Sequence, residues 1–127
     1  MAKQNTRDVR AASVSPAEFH ILLALVDADR HGYAIMQQVA SSSEGAVQLG
    51  PGTLYGAIKR LLDHGCIREV ESRIDPDLDD ARRKYYRLTA SGRAAAVAEA
   101  ERLQSLVRLA RSRRILDAPP RAQGNRP

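Results

Sequence analysis

The residues best suited to chemistry in this sequence lie in one short stretch, from Gly50 to Gly65. Its polar positions carry small, hydroxyl and cationic groups, namely Gly52, Thr53, Tyr55, Gly56, Lys59 and Arg60. Such groups donate hydrogen bonds and positive charge, and glycine lets a backbone approach a phosphate closely. This chemistry suits a helix that enters the major groove of a nucleic acid. An ordinary amphipathic surface helix would show a similar pattern, so the neighbouring elements have to decide between the two.

The same stretch has the marks of a helix with a defined start and stop. Pro51 suits the first turn, where its missing N–H is no loss, and Gly65 suits the left-handed residue that ends a helix. The apolar residues recur at i, i+4, i+7 and i+8 and therefore share one face: Leu54, Ile58, Leu61 and Leu62. We expect that face to pack on a core while the polar face stays outside.

Composition favours one small domain with an anionic partner. The chain has 127 residues, is 43% hydrophobic and contains one Phe and no Trp, which predicts an aliphatic core. Its net charge is +5 and its pI is about 9.9. Residues 1–81 hold eight basic and twelve acidic residues, whereas residues 82–127 hold twelve basic and three acidic ones. The basic excess favours polyanionic partners.

No arrangement of residues predicts an enzyme, a cofactor or a metal centre. Nucleophile elbows, phosphate-cradling loops and paired metal ligands are missing from the sequence. The acidic run Asp75, Asp77, Asp79 resembles the opening of a calcium loop, but Asp80 and Tyr86 occupy positions where that loop needs Gly and Glu. The lone Cys66 excludes an intramolecular disulfide; we expect a small buried group, with redox sensing as the alternative.

The sequence shows no signal that would direct the protein to a membrane or out of the cell. No apolar run approaches the ~18–20 residues of a membrane span, and the N-terminus lacks the apolar region of a signal peptide. We therefore expect a cytoplasmic protein without a membrane partner.

The order of predicted elements is helix, helix, helix, hairpin, helix. Ser15, Pro16 and Glu18 form a capping box that starts the first helix. His31 opens a second helix through about Ser42, with a capping or surface role for the histidine. Residues 67–72 and 82–88 predict a β-hairpin joined by a turn-rich loop. The fold class is mainly α with a small β-hairpin: a winged helix-turn-helix with a long C-terminal dimerisation helix.

The last predicted helix starts at the cap Thr89 and runs to about Leu116. Its apolar stripe is too long for its own domain to cover, so we expect a homodimer with this interface: Val97, Ala100, Leu103, Leu106, Val107 and Ala110. The domain boundaries follow: a disordered arm over 1–13, the winged unit over 14–89, the dimerisation helix over 90–117 and a disordered tail over 118–127.

The ordered set of motifs resembles the PadR family of bacterial transcriptional regulators. The matching pieces are residues 15–25, His31-Gly32-Tyr33, Gly52-Thr53-Leu54-Tyr55, Ile58-Lys59-Arg60-Leu61, Gly65-Cys66-Ile67 and residues 83–89 followed by Gly92. The resemblance implies a homodimeric repressor of the short class, in which the last helix is the dimerisation element. Some relatives bind planar aromatic effectors with Trp, which this chain lacks.

We expect the dimer to bind double-stranded DNA at a pseudo-palindromic operator. The candidate DNA-binding residues are Gly52, Thr53, Tyr55, Lys59, Arg60, Arg73, Arg82, Arg83 and Lys84, the last four in the wing. A small-molecule effector of unknown identity is a further candidate partner. Its candidate lining is Phe19, Leu22, Leu23, Leu103 and Val107, with plain core packing as the alternative for each. The competing function is a winged-helix protein-interaction module that binds no DNA.

Overall fold

The computed structural model describes residues 13–71 and 84–117. The elements in chain order are α1 (Pro16–Ala24), β1 (Arg30–His31), α2 (Gly32–Ser42), α3 (Pro51–Asp63), β2 (Ile67–Glu71), β3 (Lys84–Leu88) and α4 (Ala90–Ser112). The predicted wing residues Arg73, Arg82 and Arg83, the acidic loop between them, the tail over 118–127 and nearly all of the predicted N-terminal arm lie outside the described residues.

Local hydrogen bonds start the helices where the sequence predicts. At α1, Ser15 Oγ accepts from the Glu18 N–H at 3.2 Å, and Glu18 Oε1 accepts from the Ser15 N–H at 2.8 Å. Thr89 Oγ1 accepts from the Gly92 N–H at 3.0 Å and caps α4. His31 Nδ1 accepts from the Ala34 N–H at 3.1 Å and caps α2. The capping predictions for Ser15, Thr89 and His31 are therefore confirmed.

Helix α3 ends as expected, whereas α4 ends earlier than expected. Gly65 has a φ of 74° and follows α3, with its N–H bonded to Leu62 O and the next N–H to Leu61 O. This double bond pattern is the Schellman motif that a left-handed residue allows. Arg114, with a φ of 65°, closes α4 by the same pattern, because the Ile115 N–H bonds to Ala110 O. The regular helix thus stops at Ser112 rather than near Leu116.

Within residues 13–71 and 84–117, the sheet has three antiparallel strands in the order β1-β3-β2, one more than the predicted hairpin. Strands β2 and β3 pair with Ile67 opposite Leu88 and Glu71 opposite Lys84. The additional strand β1 pairs Arg30 with Tyr86 on the other edge of β3. A two-residue strand has no periodicity of its own, so only the folded arrangement reveals it.

The core is aliphatic, as the composition predicts, and it joins α1, α2, α3 and α4 to the sheet. Its buried members include Ile21, Leu22, Ile35, Val39, Leu54, Ile58, Leu61, Cys66, Ile67, Tyr86 and Ala95. The expectation that Cys66 is a small buried group is confirmed. The apolar face of α3 is therefore held inward, and its polar face is turned to solvent.

The start of α4 is fastened to the start of β2 by unusually close backbone packing. The Thr89 N–H donates to Cys66 O at 3.0 Å, and Thr89 Oγ1 donates to Gly65 O at 2.6 Å. A Cβ at Gly92 would overlap Cys66 O, so this position requires glycine. Helix α4 therefore leaves the core in a direction set by the end of α3.

Helix α4 packs on the core along its first half only. Its buried residues are Gly92, Ala95, Ala96 and Glu99. From Ala100 to Leu109 every residue is exposed. None of the described helices is long and apolar enough to cross a membrane.

Candidate nucleic-acid interface

The exposed face of α3 is built around one row of small and charged residues. Gly52, Gly56, Lys59 and Asp63 lie at i, i+4, i+7 and i+11 and so follow one another along the helix. We call these four residues the α3 row. Lys59 Nζ lies 3.7 Å from Asp63 Oδ2, and both side chains are exposed. The row therefore offers a cation in its middle that an acid at its far end partly offsets.

The N-terminus of α3 is open to an anion. Its cap residue, Gly50, has no side chain to accept from the first backbone N–H groups. A Cβ placed at Gly50 or Gly52 would find no described heavy atom within 4 Å. Uncapped N–H groups at a helix start, together with the helix dipole, attract a phosphate. This end of α3 and the cation of Lys59 lie on the same exposed helix surface.

Arg60 lies on the flank of α3 that faces α1. Its Nε donates to Glu18 Oε2 at 2.9 Å, although the Arg60 side chain is still 54% exposed. Burial by itself would raise the pKa of Glu18, but the Ser15 N–H and the Arg60 guanidinium outweigh it and lower that pKa. Thr53, two helical turns before Arg60, is exposed on the same flank. The ion pair was not predicted, because Glu18 was assigned to the helix cap alone.

Tyr55 lies on the opposite flank of α3, against the start of α2. A Cβ at Gly32 would overlap the Tyr55 hydroxyl, so the phenol ring lies directly over that glycine. The Tyr55 side chain nevertheless remains 40% exposed. The five predicted α3 residues are thus brought to one side of the molecule, with Gly52 and Lys59 central and Thr53, Arg60 and Tyr55 at the edges.

In the described part of the wing, Lys84 begins β3 with an exposed side chain, and its Nζ lies 3.8 Å from Glu69 Oε2. Arg87 Nε and Nη2 donate hydrogen bonds of 2.7–3.1 Å to the Asp29 carboxylate. The hydrogen bonds from Arg87 lower the pKa of Asp29, with added help from the charge of Arg68. This contact has no local sequence signal, since Asp29 and Arg87 are 58 positions apart.

The predicted dimer stripe is uncovered in the single chain. Val97, Ala100, Leu103, Leu106 and Val107 are all exposed, and Ala110 is half-buried. Leu109 widens this surface, and Leu23 on α1 and Val26 just after α1 are exposed as well. Contiguous apolar surface of this kind marks an interaction site.

The candidate effector-lining residues separate into two groups. Leu22 is completely buried, and Phe19 packs against the core, so the alternative of core packing holds for both. The other three are exposed, namely Leu23, Leu103 and Val107. The prediction that they pack in the core of the single chain is therefore wrong.

Three helices packed together, the third with an outward cationic face, followed by an antiparallel sheet define a winged helix-turn-helix protein. The model of the Transcriptional regulator PadR-like family matches residues 21–98. This chain therefore belongs to the PadR-like family, whose members are transcriptional regulators and not enzymes. The family resemblance and the predicted fold class are confirmed.

One relative that is named by function agrees with this assignment, and two further relatives are uncharacterized. A Mycobacterium tuberculosis protein named as a transcriptional regulator is 32% identical over 102 residues, which cover 80% of this chain and 86% of that protein. An uncharacterized Lysinibacillus sphaericus protein is 32% identical over 74 residues, 58% of this chain and 65% of that one. An uncharacterized 37.1 kDa protein in a Streptomyces fradiae transposon is 34% identical over 71% of this chain, which spans only 24% of that protein.

Solved structures show the same architecture. A PadR family transcription regulator from Clostridium difficile superimposes with a TM-score of 0.65 at 26% identity, over 77% of this chain and 97% of that one. A transcriptional regulator from Clostridium thermocellum has a TM-score of 0.64 at 24% identity, over 75% and 89% of the two chains.

Proposed function

We propose that this protein is a repressor that binds a pseudo-palindromic DNA operator as a homodimer. The observation that carries the proposal is the exposed surface of α3, where Lys59 and the open helix N-terminus face the same side. In helix-turn-helix proteins, this second helix of the motif lies in the major groove. Membership of a family of transcriptional regulators supports the same role.

Different residues of the α3 surface would contact phosphates and base edges. The N–H groups at Gly52 and Thr53 and the Lys59 ammonium would contact phosphates, which position the protein and make affinity depend on salt. Thr53 and Tyr55 would reach base edges from the two flanks. The wing cation Lys84 would add a phosphate contact, as would the predicted wing residues Arg73, Arg82 and Arg83.

Two copies are needed because one α3 helix reads only a few base pairs. Half-sites lie about one turn of DNA apart, so the two helices must be held at a fixed spacing. Helix α4 has 23 residues and is about 34 Å long. Burying Leu103, Leu106 and Val107 against a second copy would contribute very roughly 1.5–3 kcal/mol each. The exposed state of these side chains in the single chain supports their place in a dimer interface.

The DNA-binding experiment starts with a duplex selected by this protein from random sequence. Fluorescence polarisation then compares wild type with Lys59→Ala and Arg60→Ala. We expect both variants to bind less tightly and with a smaller salt dependence, because each removes a cation from the surface proposed to face DNA. Arg108→Ala, which removes an exposed arginine near the far end of α4, is the matched control. Unchanged affinity in both α3 variants would refute the assigned surface.

The dimer experiment measures mass in solution by light scattering. Leu103→Asp with Val107→Asp places two charges in the seam, where burial is costly, and should give monomers without operator binding. The matched control is Ala98→Asp with Ser105→Asp, which adds the same charges on the other side of α4. A wild-type monomer that binds one full operator tightly would overturn the dimer. If no duplex is selected at all, the protein-interaction module becomes the better explanation.

A further inference from the structure

Glu18 is a charged residue in the interior of the helix assembly. It lies on the short apolar helix α1 and is only 7% exposed, although its side chain is charged. One carboxylate oxygen accepts from the Ser15 N–H at 2.8 Å, and the other accepts from Arg60 Nε at 2.9 Å. A single carboxylate therefore caps α1 and also binds α3, 42 positions further along the chain. The cap needs only one of these oxygens, so the second contact requires its own explanation.

The second contact determines where the rest of the Arg60 side chain lies. Arginine carries its N–H donors in one rigid plane, so a fixed Nε restricts where the two Nη groups point. Nη1 lies beside Gly56, since a Cβ at that glycine would be 3.7 Å from it. Gly56 belongs to the α3 row. The guanidinium thus extends from Glu18 toward the row, and within the described chain its Nη groups have no hydrogen-bond acceptor.

We infer that Glu18 is a positioning residue for DNA recognition, which holds the Arg60 guanidinium so that its Nη groups donate to a DNA phosphate beside the α3 row. This inference rests on the proposed function. Ordering the long side chain before DNA arrives removes an entropic cost from binding. A planar guanidinium with two remaining donor groups also matches the geometry of a phosphate.

Positioning and simple electrostatics predict opposite effects on DNA affinity when the charge of Glu18 is removed. A carboxylate near the binding surface repels DNA, so simple electrostatics predicts that Glu18→Gln binds DNA more tightly or equally. Positioning predicts the opposite. The glutamine can still accept from the Ser15 N–H, but it loses the ion pair that holds Arg60.

The test uses the full chain and a labelled duplex selected from random sequence, titrated at several salt concentrations. We expect Glu18→Gln to bind about threefold to tenfold more weakly, the range for having to order one long side chain on binding that was previously held in place. In the Arg60→Ala background the same change should cause no further loss of affinity. Ser15→Ala is the matched control, because it weakens the same helix cap but leaves the Glu18–Arg60 pair intact, and its affinity should equal that of wild type.

Arg60→Lys provides a second test that does not depend on Glu18. Lysine can still pair with Glu18, but all its N–H donors sit on one nitrogen, whereas arginine carries separate Nη groups in a planar fork that extends beyond the pair. The variant should keep the wild-type melting temperature but bind DNA more weakly than wild type, because it keeps the charge of Arg60 and loses the fixed geometry of its Nη groups. Wild-type affinity in Arg60→Lys would overturn the inference even if Glu18→Gln failed to fold.

The remaining outcomes separate the inference from the function on which it rests. Equal or tighter binding by Glu18→Gln, or an equal loss in the presence and absence of Arg60, would show that Glu18 does not act through Arg60. A matching loss in Ser15→Ala would assign the effect to the cap. If the wild-type protein binds no duplex, the proposed function fails and the inference fails with it.

Discussion

Gly92→Ala should destabilise the fold although it places a better helix former in α4. The backbone of Gly92 lies outside the left-handed region, so alanine can adopt it without torsional strain. The added Cβ would overlap Cys66 O and would lie 2.8 Å from Leu88 Cδ1 and 2.9 Å from the Cys66 carbonyl carbon. Two of these three atoms belong to the backbone of a buried residue and cannot move as the end of a side chain can.

The magnitude follows from three contributions. Overpacking costs about 1–3 kcal/mol. Displacement of Cys66 O weakens its hydrogen bond from the Thr89 N–H, a net contribution of about 0.5–1.5 kcal/mol. The gain from alanine over glycine in a helix offsets at most about 1 kcal/mol. We therefore expect a loss of about 0.5–3.5 kcal/mol, or roughly 2–20 °C in melting temperature for a domain of this size.

Thermal unfolding followed by circular dichroism measures this effect. Gly52→Ala is the matched control, because the same substitution in α3 meets no described atom within 4 Å and should leave the melting temperature unchanged or slightly raised. A Gly92→Ala variant that melts at or above the wild-type temperature would refute the reasoning, because it would mean that α4 can move away from β2 at no cost.

Three further predictions concern charge and reactivity. Asp63→Asn should tighten DNA binding in polarisation titrations, since it removes the acid that pairs with Lys59 in the α3 row; weaker binding would mean that Asp63 itself contacts DNA. Burial, followed by the charge of Glu18, raises the pKa of the Cys66 thiol, so a thiol reagent should label native protein far more slowly than protein in urea; equal rates would revive a redox role. The carboxyl pKa values of Asp29 and Glu18 are lowered in the fold, so their stabilisation is complete above the ordinary values of 3.8 and 4.5 and is lost as pH falls below them. Asp29→Asn should make acid unfolding less steep, and an unchanged acid profile would contradict the role of the Arg87 contact.

Most of the secondary structure could be predicted because its signals are local. The caps at Ser15 and Thr89 act on N–H groups three residues away, and Gly65 ends α3 through bonds to carbonyls within five residues. The inward face of α3 follows from helical periodicity alone. For the same reason the apolar stripe of α4 could be recognised, although which molecule covers it stays a prediction.

Tertiary structure decided the contacts between residues far apart in the chain. The pairing of β1 with β3, the Arg87–Asp29 ion pair and the overlap that excludes a side chain at Gly92 have no local signature. Glu18 shows the difference most directly: its spacing from Ser15 predicted a cap, but its second oxygen binds Arg60 across 42 positions. Backbone bonds over three or four residues depend on sequence order, whereas a contact between two helices depends on how the whole core packs them together.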